Sequence, residues 1–169
     1  DYVGKPTFAL ALMKKGYISS PGEAFREGRY MRSDVVRKVH REKIPARKAI
    51  ALIRGAGGIP VLAHPMKISY LKKDTGEDFF KKLEQQLIKL KKWGLGGMEC
   101  YYSSHLPQDT KRLVRLANQH HLIITAGSDF HGTEFDKSIT PGGFPIDENF
   151  DGNRIISEIM YGNSCQKMV

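Results

Sequence analysis

The sequence predicts an α/β protein whose later part contains a parallel sheet. Three short apolar segments, Ile59–Ala63, Met98–Tyr102 and Leu122–Ala126, are typical of buried strands. Two amphipathic segments, Asp78–Trp93 and Pro107–His120, lie between them and have the spacing of long helices. Strands that alternate with helices favour a parallel arrangement.

The earlier part of the chain is helical and basic. Residues 1–54 hold 13 Lys or Arg against 5 Asp or Glu, whereas residues 55–169 hold 14 against 13. Proline and capping signals predict a helix from Pro6 to about Lys15, a short helix over 23–27 and a helix over 46–54. We therefore expect two parts: a small basic helical segment at 1–44 and an α/β domain at 45–169. Residues 28–45 are expected to form a loop or a short irregular helix.

Composition narrows the class of protein. The chain has 169 residues, 40% hydrophobic and 27% charged, which is enough for a packed core. No apolar run approaches the ~20 residues of a membrane span, so no membrane partner is expected. Cys100 and Cys165 lie far apart and indicate reduced thiols of a cytoplasmic protein. The first residue is Asp1 rather than Met, and we expect the chain to be a piece of a longer protein.

The basic character of residues 1–54 has two interpretations. It is either an ordinary solvated surface or an electropositive surface that attracts a phosphate ester or a nucleic acid. Nucleic-acid binding would be supported by exposed aromatic rings beside the basic residues. Aromatic residues are few here, and Phe8 and Phe25 are expected to pack between helices.

Candidate metal ligands follow the third predicted strand. Asp129 and His131 are two positions apart, so in an extended segment their side chains point the same way and Phe130 points back into the protein. A carboxylate and an imidazole at the end of a rigid strand are suitable ligands for a divalent metal. His64 follows the first predicted strand in the same way, and Pro65 favours an extended conformation for it. Each motif alone is common by chance.

Three further polar residues follow or lie on the strands. Lys67 could reach a phosphate or could be a plain surface lysine. Glu99 is expected to face the site or an internal partner, because a buried strand rarely carries an unpaired carboxylate. His105 is a candidate to contact the substrate or to support a residue that does, with a helix-capping or surface role as the alternative. His120 and His121, at a predicted helix end, are expected to be structural.

Three segments together resemble a known family. They are residues 57–65 (Gly-Gly-Ile-Pro-Val-Leu-Ala-His-Pro), 97–105 (Gly-Met-Glu-Cys-Tyr-Tyr-Ser-Ser-His) and 127–132 (Gly-Ser-Asp-Phe-His-Gly). Their order and spacing resemble the second half of a metal-dependent phosphoesterase of the polymerase and histidinol phosphatase (PHP) family. Residues 5–44 look like the small helical insertion of its nucleotide and RNA 5′-end phosphoesterase branch.

The resemblance implies a fold, a cofactor and a reaction. The fold would be the second half of a distorted (β/α)7 barrel, preceded by the small helical insertion. The family binds two or three Mn, Fe, Zn or Mg ions, and its ligands would match His64, Asp129 and His131. The implied reaction is metal-dependent hydrolysis of nucleotide phosphomonoesters, such as nucleoside 3′,5′-bisphosphates, or of short RNA 5′ ends.

One departure from the family qualifies the expectation. The family's first half carries a His-x-His pair and further ligands, and this sequence contains no His-x-His. We therefore expect a fragment that lacks the N-terminal half of its domain and is inactive alone, within a full-length enzyme. The alternatives are a basic nucleic-acid-binding module and a catalytically inactive PHP-like domain.

Overall fold

The computed structural model describes residues 4–39, 43–71, 74–133 and 135–165. The chain divides into two compact units. The first unit comprises residues 1–43 and 129–142, and the second comprises residues 44–128 and 143–169. The predicted division into 1–44 and 45–169 stays a prediction.

The first unit is helical and has a small core. Its helices are α1 (Lys5–Lys14), α2 (Asp34–Lys38) and two 3-10 helices, Pro21–Phe25 and Tyr30–Arg32. The helix predicted over 23–27 is therefore a 3-10 helix that begins at Pro21. Ser19 pairs with Glu23 there, through a backbone N–H···Oε2 bond of 2.9 Å.

Small side chains fill the core of the first unit. Ala9 and Ala24 are fully buried, Ile18 is nearly so, and half-buried apolar side chains surround them. Gly16 reverses the chain after α1 with φ +75°, a conformation that favours glycine. This core holds α1 against the first 3-10 helix and leaves the opposite face of α1 in solvent.

A parallel sheet forms the centre of the second unit. Its strands are β1 (Val61–Leu62), β2 (Gly97–Tyr102) and β3 (Ile123–Gly127), in the order β1-β2-β3. Every pairing is parallel, so the predicted α/β arrangement with a parallel sheet is confirmed. β1 is shorter than the predicted Ile59–Ala63. β2 contains an irregularity between Glu99 and Tyr101, so that Cys100 has no paired residue on β3.

In the described part of the second unit, four α-helices accompany the sheet: α3 (Ala46–Gly55), α4 (Gly76–Lys92), α5 (Pro107–Gln119) and α6 (Gly152–Cys165). Two short 3-10 helices, Pro65–Lys67 and Ser69–Leu71, follow β1. The core side chains come from the apolar faces of α4 and α5 and from β2, including Leu83, Leu87, Met98 and Leu113, all with no exposed surface. α4 has acidic residues in its first turn and lysines in its last, which suits the helix dipole.

His120, directly after α5, connects the end of that helix to α4, which agrees with the structural role predicted for it. Its Nε2 lies 2.9 Å from Oε1 of Glu84 on α4, and Nζ of Lys91 donates to its carbonyl oxygen. Within the described residues, no helix is long and apolar enough to cross a membrane.

Candidate functional site

The candidate residues of the second unit lie at the carboxyl end of the parallel sheet. His64 comes two residues after β1, and His105 comes three residues after β2. The carboxyl edge is where open parallel sheets bind ligands, because the loops that follow the strands converge there.

His64 has an unusual backbone conformation. Its φ is +29° and its ψ is 63°, so the extended conformation expected from the following proline is wrong. One of two hydrogen bonds that hold it is local: Lys67 N–H donates to the His64 carbonyl at 2.8 Å, closing a 3-10 helix over Pro65–Lys67. Such a conformation costs on the order of 1–3 kcal/mol in a residue other than glycine and persists only where neighbours hold it.

Glu99 supplies that support from the central strand. The His64 N–H donates to Oε2 of Glu99 over 2.6 Å. A Cβ added to Gly127, at the end of β3, would lie 2.6 Å from Oε1 of the same carboxylate. The carboxylate therefore reaches from β2 towards both neighbouring strand ends. Glu99 thus has an internal partner, and its role in the site stays a prediction.

Tyr102, the last residue of β2, is a residue that the sequence reasoning missed. The Lys67 ammonium donates to its hydroxyl oxygen and lies 4.5 Å from its ring centroid. The His64 ring approaches it edge-on, with centroids 5.7 Å apart, and the His105 ring lies 5.2 Å away. The sequence signal that could have identified it is its place at the end of a strand, within the segment 97–105 that resembles the family.

Lys67 is thus held by an aromatic neighbour rather than being a plain surface lysine. Its side chain remains exposed. A cation whose position is set by a ring and a hydroxyl, and which still reaches solvent, is suited to meeting an anionic ligand. A role in phosphate binding stays a prediction.

His105 is buried, so the surface role considered for it is wrong. The side chain is only 4% exposed, and Nδ1 lies 2.9 Å from the Cys100 carbonyl oxygen. Because a carbonyl only accepts, Nδ1 carries the hydrogen and Nε2 presents a lone pair. Nε2 is buried and has no hydrogen-bond partner among the described residues. Burial lowers the pKa of His105, which favours the neutral ring.

In the first unit, Asp129 and His131 lie side by side as predicted. His131 Nε2 is 3.2 Å from Asp129 Oδ1, and the two side chains are 55% and 37% exposed respectively. The backbone that brings them together is not the expected extended segment, because Asp129 has φ +56°. The turn also leaves Phe130 36% exposed, so the expectation that it points into the protein is wrong.

The side-chain groups of Asp129 and His131 are of the kind that bind a divalent metal. Imidazole and carboxylate are ligands of Mn, Fe and Zn, and the Asp129 and His131 side chains are open to solvent. Among the residues that the structure describes, no three His, Cys, Asp or Glu side chains form a group that could hold a metal ion. Metal binding by Asp129 and His131 therefore stays a prediction.

Comparison with known proteins identifies relatives that act on phosphoesters. The chain is 31% identical over 129 residues to a 5′-3′ exoribonuclease of Haemophilus influenzae, covering 76% of this chain and 43% of that protein. It is 34% identical over 90 residues to a phosphoribosyl 1,2-cyclic phosphate 1,2-diphosphodiesterase of Eggerthella lenta, covering 53% and 29%. It is 27% identical over 131 residues to a 3′,5′-nucleoside bisphosphate phosphatase of Chromobacterium violaceum, covering 78% and 42%.

A solved structure shows the same similarity. A crystal structure of a protein from Bifidobacterium adolescentis, assigned as a metal-dependent phosphoesterase, superposes with a TM-score of 0.67 at 26% identity, covering 94% of this chain and 50% of that one. No family model matches the chain. The chain spans less than half the length of the curated relatives named above. The resemblance to PHP phosphoesterases drawn from the three motifs is confirmed by these relatives.

Proposed function

We propose that the protein containing this chain is a metal-dependent phosphoesterase that acts on nucleotides or on short RNA 5′ ends. The observation that carries the proposal is the polar cluster at the carboxyl edge of the parallel sheet, in a chain whose curated relatives are named for phosphoester chemistry. We also propose that the α/β part of the chain forms the second half of a distorted (β/α)7 barrel.

His64, Asp129 and His131 are the proposed metal ligands. In support, each carries a donor group of the right kind and follows a strand of the parallel sheet in sequence. A bound divalent metal would lower the pKa of a water molecule and neutralise charge on phosphoryl oxygens. Mn, Fe, Zn and Mg all remain candidates for the metal.

The residues around Tyr102 are proposed to receive the phosphate. Lys67 offers a positive charge held in place by the Tyr102 ring and hydroxyl. His105, whose Nε2 is buried, packs beside the Tyr102 ring, and its proposed role is to support Tyr102. Glu99 acts through His64, whose backbone it holds, and is therefore a positioning residue.

The proposed substrate is a phosphomonoester of a nucleoside 3′,5′-bisphosphate or the 5′ end of a short RNA. The similarity to a bisphosphate phosphatase and an exoribonuclease supports this class. We also propose that the 169 residues alone have little activity, because the His-x-His of the family is absent from the sequence and a complete ligand group is absent from its described part.

The test is a hydrolysis assay with a nucleoside 3′,5′-bisphosphate and a 5′-phosphorylated short RNA. The chain alone and the chain joined to the N-terminal part of the H. influenzae relative are each assayed with Mn²⁺ and with chelator. We expect activity in the joined protein that chelator abolishes and that Asp129→Asn reduces by about 100-fold or more.

His121→Asn is the matched control, since His121 is exposed and Asn tolerates its φ of +49°. Metal content measured by elemental analysis shows whether each preparation is loaded. A joined protein that binds metal and hydrolyses neither substrate would refute the proposed function.

A further inference from the structure

The solvent face of α1 has features that neither the core of the first unit nor the proposed phosphoesterase site explains. Helical spacing places Thr7, Phe8, Ala11, Lys14 and Lys15 on this face, and all five are exposed. Phe8 is 54% exposed, so the expectation that it packs between helices is wrong. Phe25, by contrast, packs against the small core of the first unit.

A second exposed ring follows immediately after the helix. Tyr17 is 62% exposed, while its backbone is fixed at both ends. Its N–H donates to the Leu12 carbonyl over 3.0 Å, and its own carbonyl accepts from the Tyr30 hydroxyl over 3.1 Å. An exposed ring on a fixed backbone loses little conformational freedom when another ring stacks on it.

No ion pair joins the lysines of α1 or Lys15 to an acidic side chain of the described residues. α1 and Lys15 contain three lysines and no acidic residue. Over residues 4–39 there are three acidic residues, Glu23, Glu27 and Asp34, and they pair with arginines 26, 32 and 37. Lys14 and Lys15 are therefore available to an outside anion.

We propose that this face of α1, with Phe8, Lys14 and Lys15, binds single-stranded RNA together with the exposed ring of Tyr17, which follows the helix in sequence. Aromatic rings that accept stacked bases, combined with lysines that contact the backbone phosphates, are the usual means of binding single strands. Phe8 and Lys14 are six residues apart, about 9 Å along the helix, so the face spans more than one nucleotide. The assignment of this strand as substrate rests on the proposed function.

The same features do not suit a membrane surface. A helix that lies in a lipid interface presents a broad apolar face to the acyl chains. Here the outward face of α1 has one large apolar side chain, Phe8, among Thr, Ala and Lys, and Tyr17 adds one further ring that carries a polar hydroxyl. Charge and isolated rings therefore favour a nucleic acid over a lipid surface.

The test measures binding without catalysis. A 5′-labelled oligouridylate is titrated with the full chain in chelator, and its fluorescence anisotropy is followed over a range of salt concentrations. We expect Phe8→Ala to weaken binding about 5- to 100-fold at every salt concentration, and Phe8→Trp to retain it. Lys14→Gln and Lys15→Gln should each reduce the slope of log affinity against log salt by about 0.7.

Matched controls come from the second unit, and a modified strand isolates stacking. Tyr161→Ala removes an equally exposed ring, and Lys81→Gln removes an exposed lysine; neither should change the affinity. An abasic strand has phosphates and no bases, so it should bind more weakly and be insensitive to Phe8→Ala.

Three outcomes would overturn the inference: no binding at low salt, equal binding of the abasic and normal strands, or stronger binding to phosphatidylserine vesicles than to RNA. Because the strand is not hydrolysed here, failure of this test is distinct from failure of the hydrolysis assay above. If RNA binding depends on Phe8 but the protein has no phosphoesterase activity, the face is still an RNA-binding surface. Its role in substrate recognition is then refuted.

Discussion

Glu99→Ala tests whether one carboxylate holds the turn at the sheet's carboxyl edge. The side chain accepts the His64 N–H over 2.6 Å, while His64 has a backbone conformation that favours glycine. Its removal leaves that N–H without its acceptor and the strained turn without its support. We therefore expect both a loss of stability and a local loosening at His64.

The magnitude follows from the kind of bond that is lost. A hydrogen bond to a charged group contributes about 1.5–3 kcal/mol. Glu99 is half-buried, so water replaces part of that bond and a loss of about 2 kcal/mol is expected. Glu99→Gln keeps an acceptor oxygen without the charge and should lose about half as much.

The assay is urea unfolding of the full chain, combined with amide hydrogen exchange at His64. Glu77→Ala is the matched control: Glu77 pairs with Arg112 on the surface and its removal should cost at most about 1 kcal/mol. Exchange at His64 should accelerate in Glu99→Ala and stay unchanged in the control.

Gly127→Ala tests the same contact from the other side. The added Cβ would lie 2.6 Å from Oε1 of Glu99, and the other atom within 4 Å, Cδ at 3.8 Å, belongs to the same residue. Gly127→Ala should therefore destabilise the normal protein and have no cost in Glu99→Ala. Equal destabilisation in both backgrounds, or a Glu99→Ala loss no larger than that of Glu77→Ala, would refute the reasoning.

Further measurements test the core, the buried histidine and the buried thiol. Leu83→Ala should cost about 2–5 kcal/mol in urea unfolding, because Leu83 is fully buried; a loss below about 1 kcal/mol would contradict the packing. Burial lowers the pKa of His105, so the folded state binds fewer protons than the unfolded one and stability should fall as pH drops below about 6.5, by at most about 1.4 kcal/mol per pH unit. His105→Gln should remove that dependence, and an unchanged pH profile would show that another group causes it. Burial raises the pKa of the Cys100 thiol, so a thiol reagent should label it only after denaturation; rapid labelling of the native protein would contradict its burial.

The helices and strands were predictable where the local pattern is long and regular. α4 and α5 begin and end within two residues of the predicted bounds, because their apolar side chains repeat with helical spacing and their ends carry Gly or Pro signals. β1 was predicted too long. Its pairing with β2 covers two residues, since a strand extends only as far as its neighbour provides hydrogen-bond partners.

The site residues were predictable as types and less so as contacts. Asp129 and His131 were recognised from their spacing, and they do contact each other. The conformation that joins them was not predicted, because the sequence does not show that Asp129 adopts a positive φ. Their role as metal ligands, with that of His64, stays a prediction.

Tyr102 shows what a sequence pattern cannot provide. The irregularity at Cys100 interrupts the two-residue alternation of β2, so the direction of Tyr102 does not follow from the strand pattern. Its contacts with His64 and Lys67 join the end of β2 to the segment after β1, and Lys67 lies 35 positions before Tyr102 in the chain.

The sequence by itself determined the parallel α/β class, the basic charge of the first part and the order of the candidate motifs, since these depend on local periodicity and residue type. Only the tertiary structure decided which polar groups meet. It turned His64 out of the extended conformation, gave Glu99 an internal partner, buried His105 and left Phe8 exposed. The physical reason is that burial and hydrogen bonding depend on neighbours that are distant in sequence, and these neighbours outweigh local conformational preference.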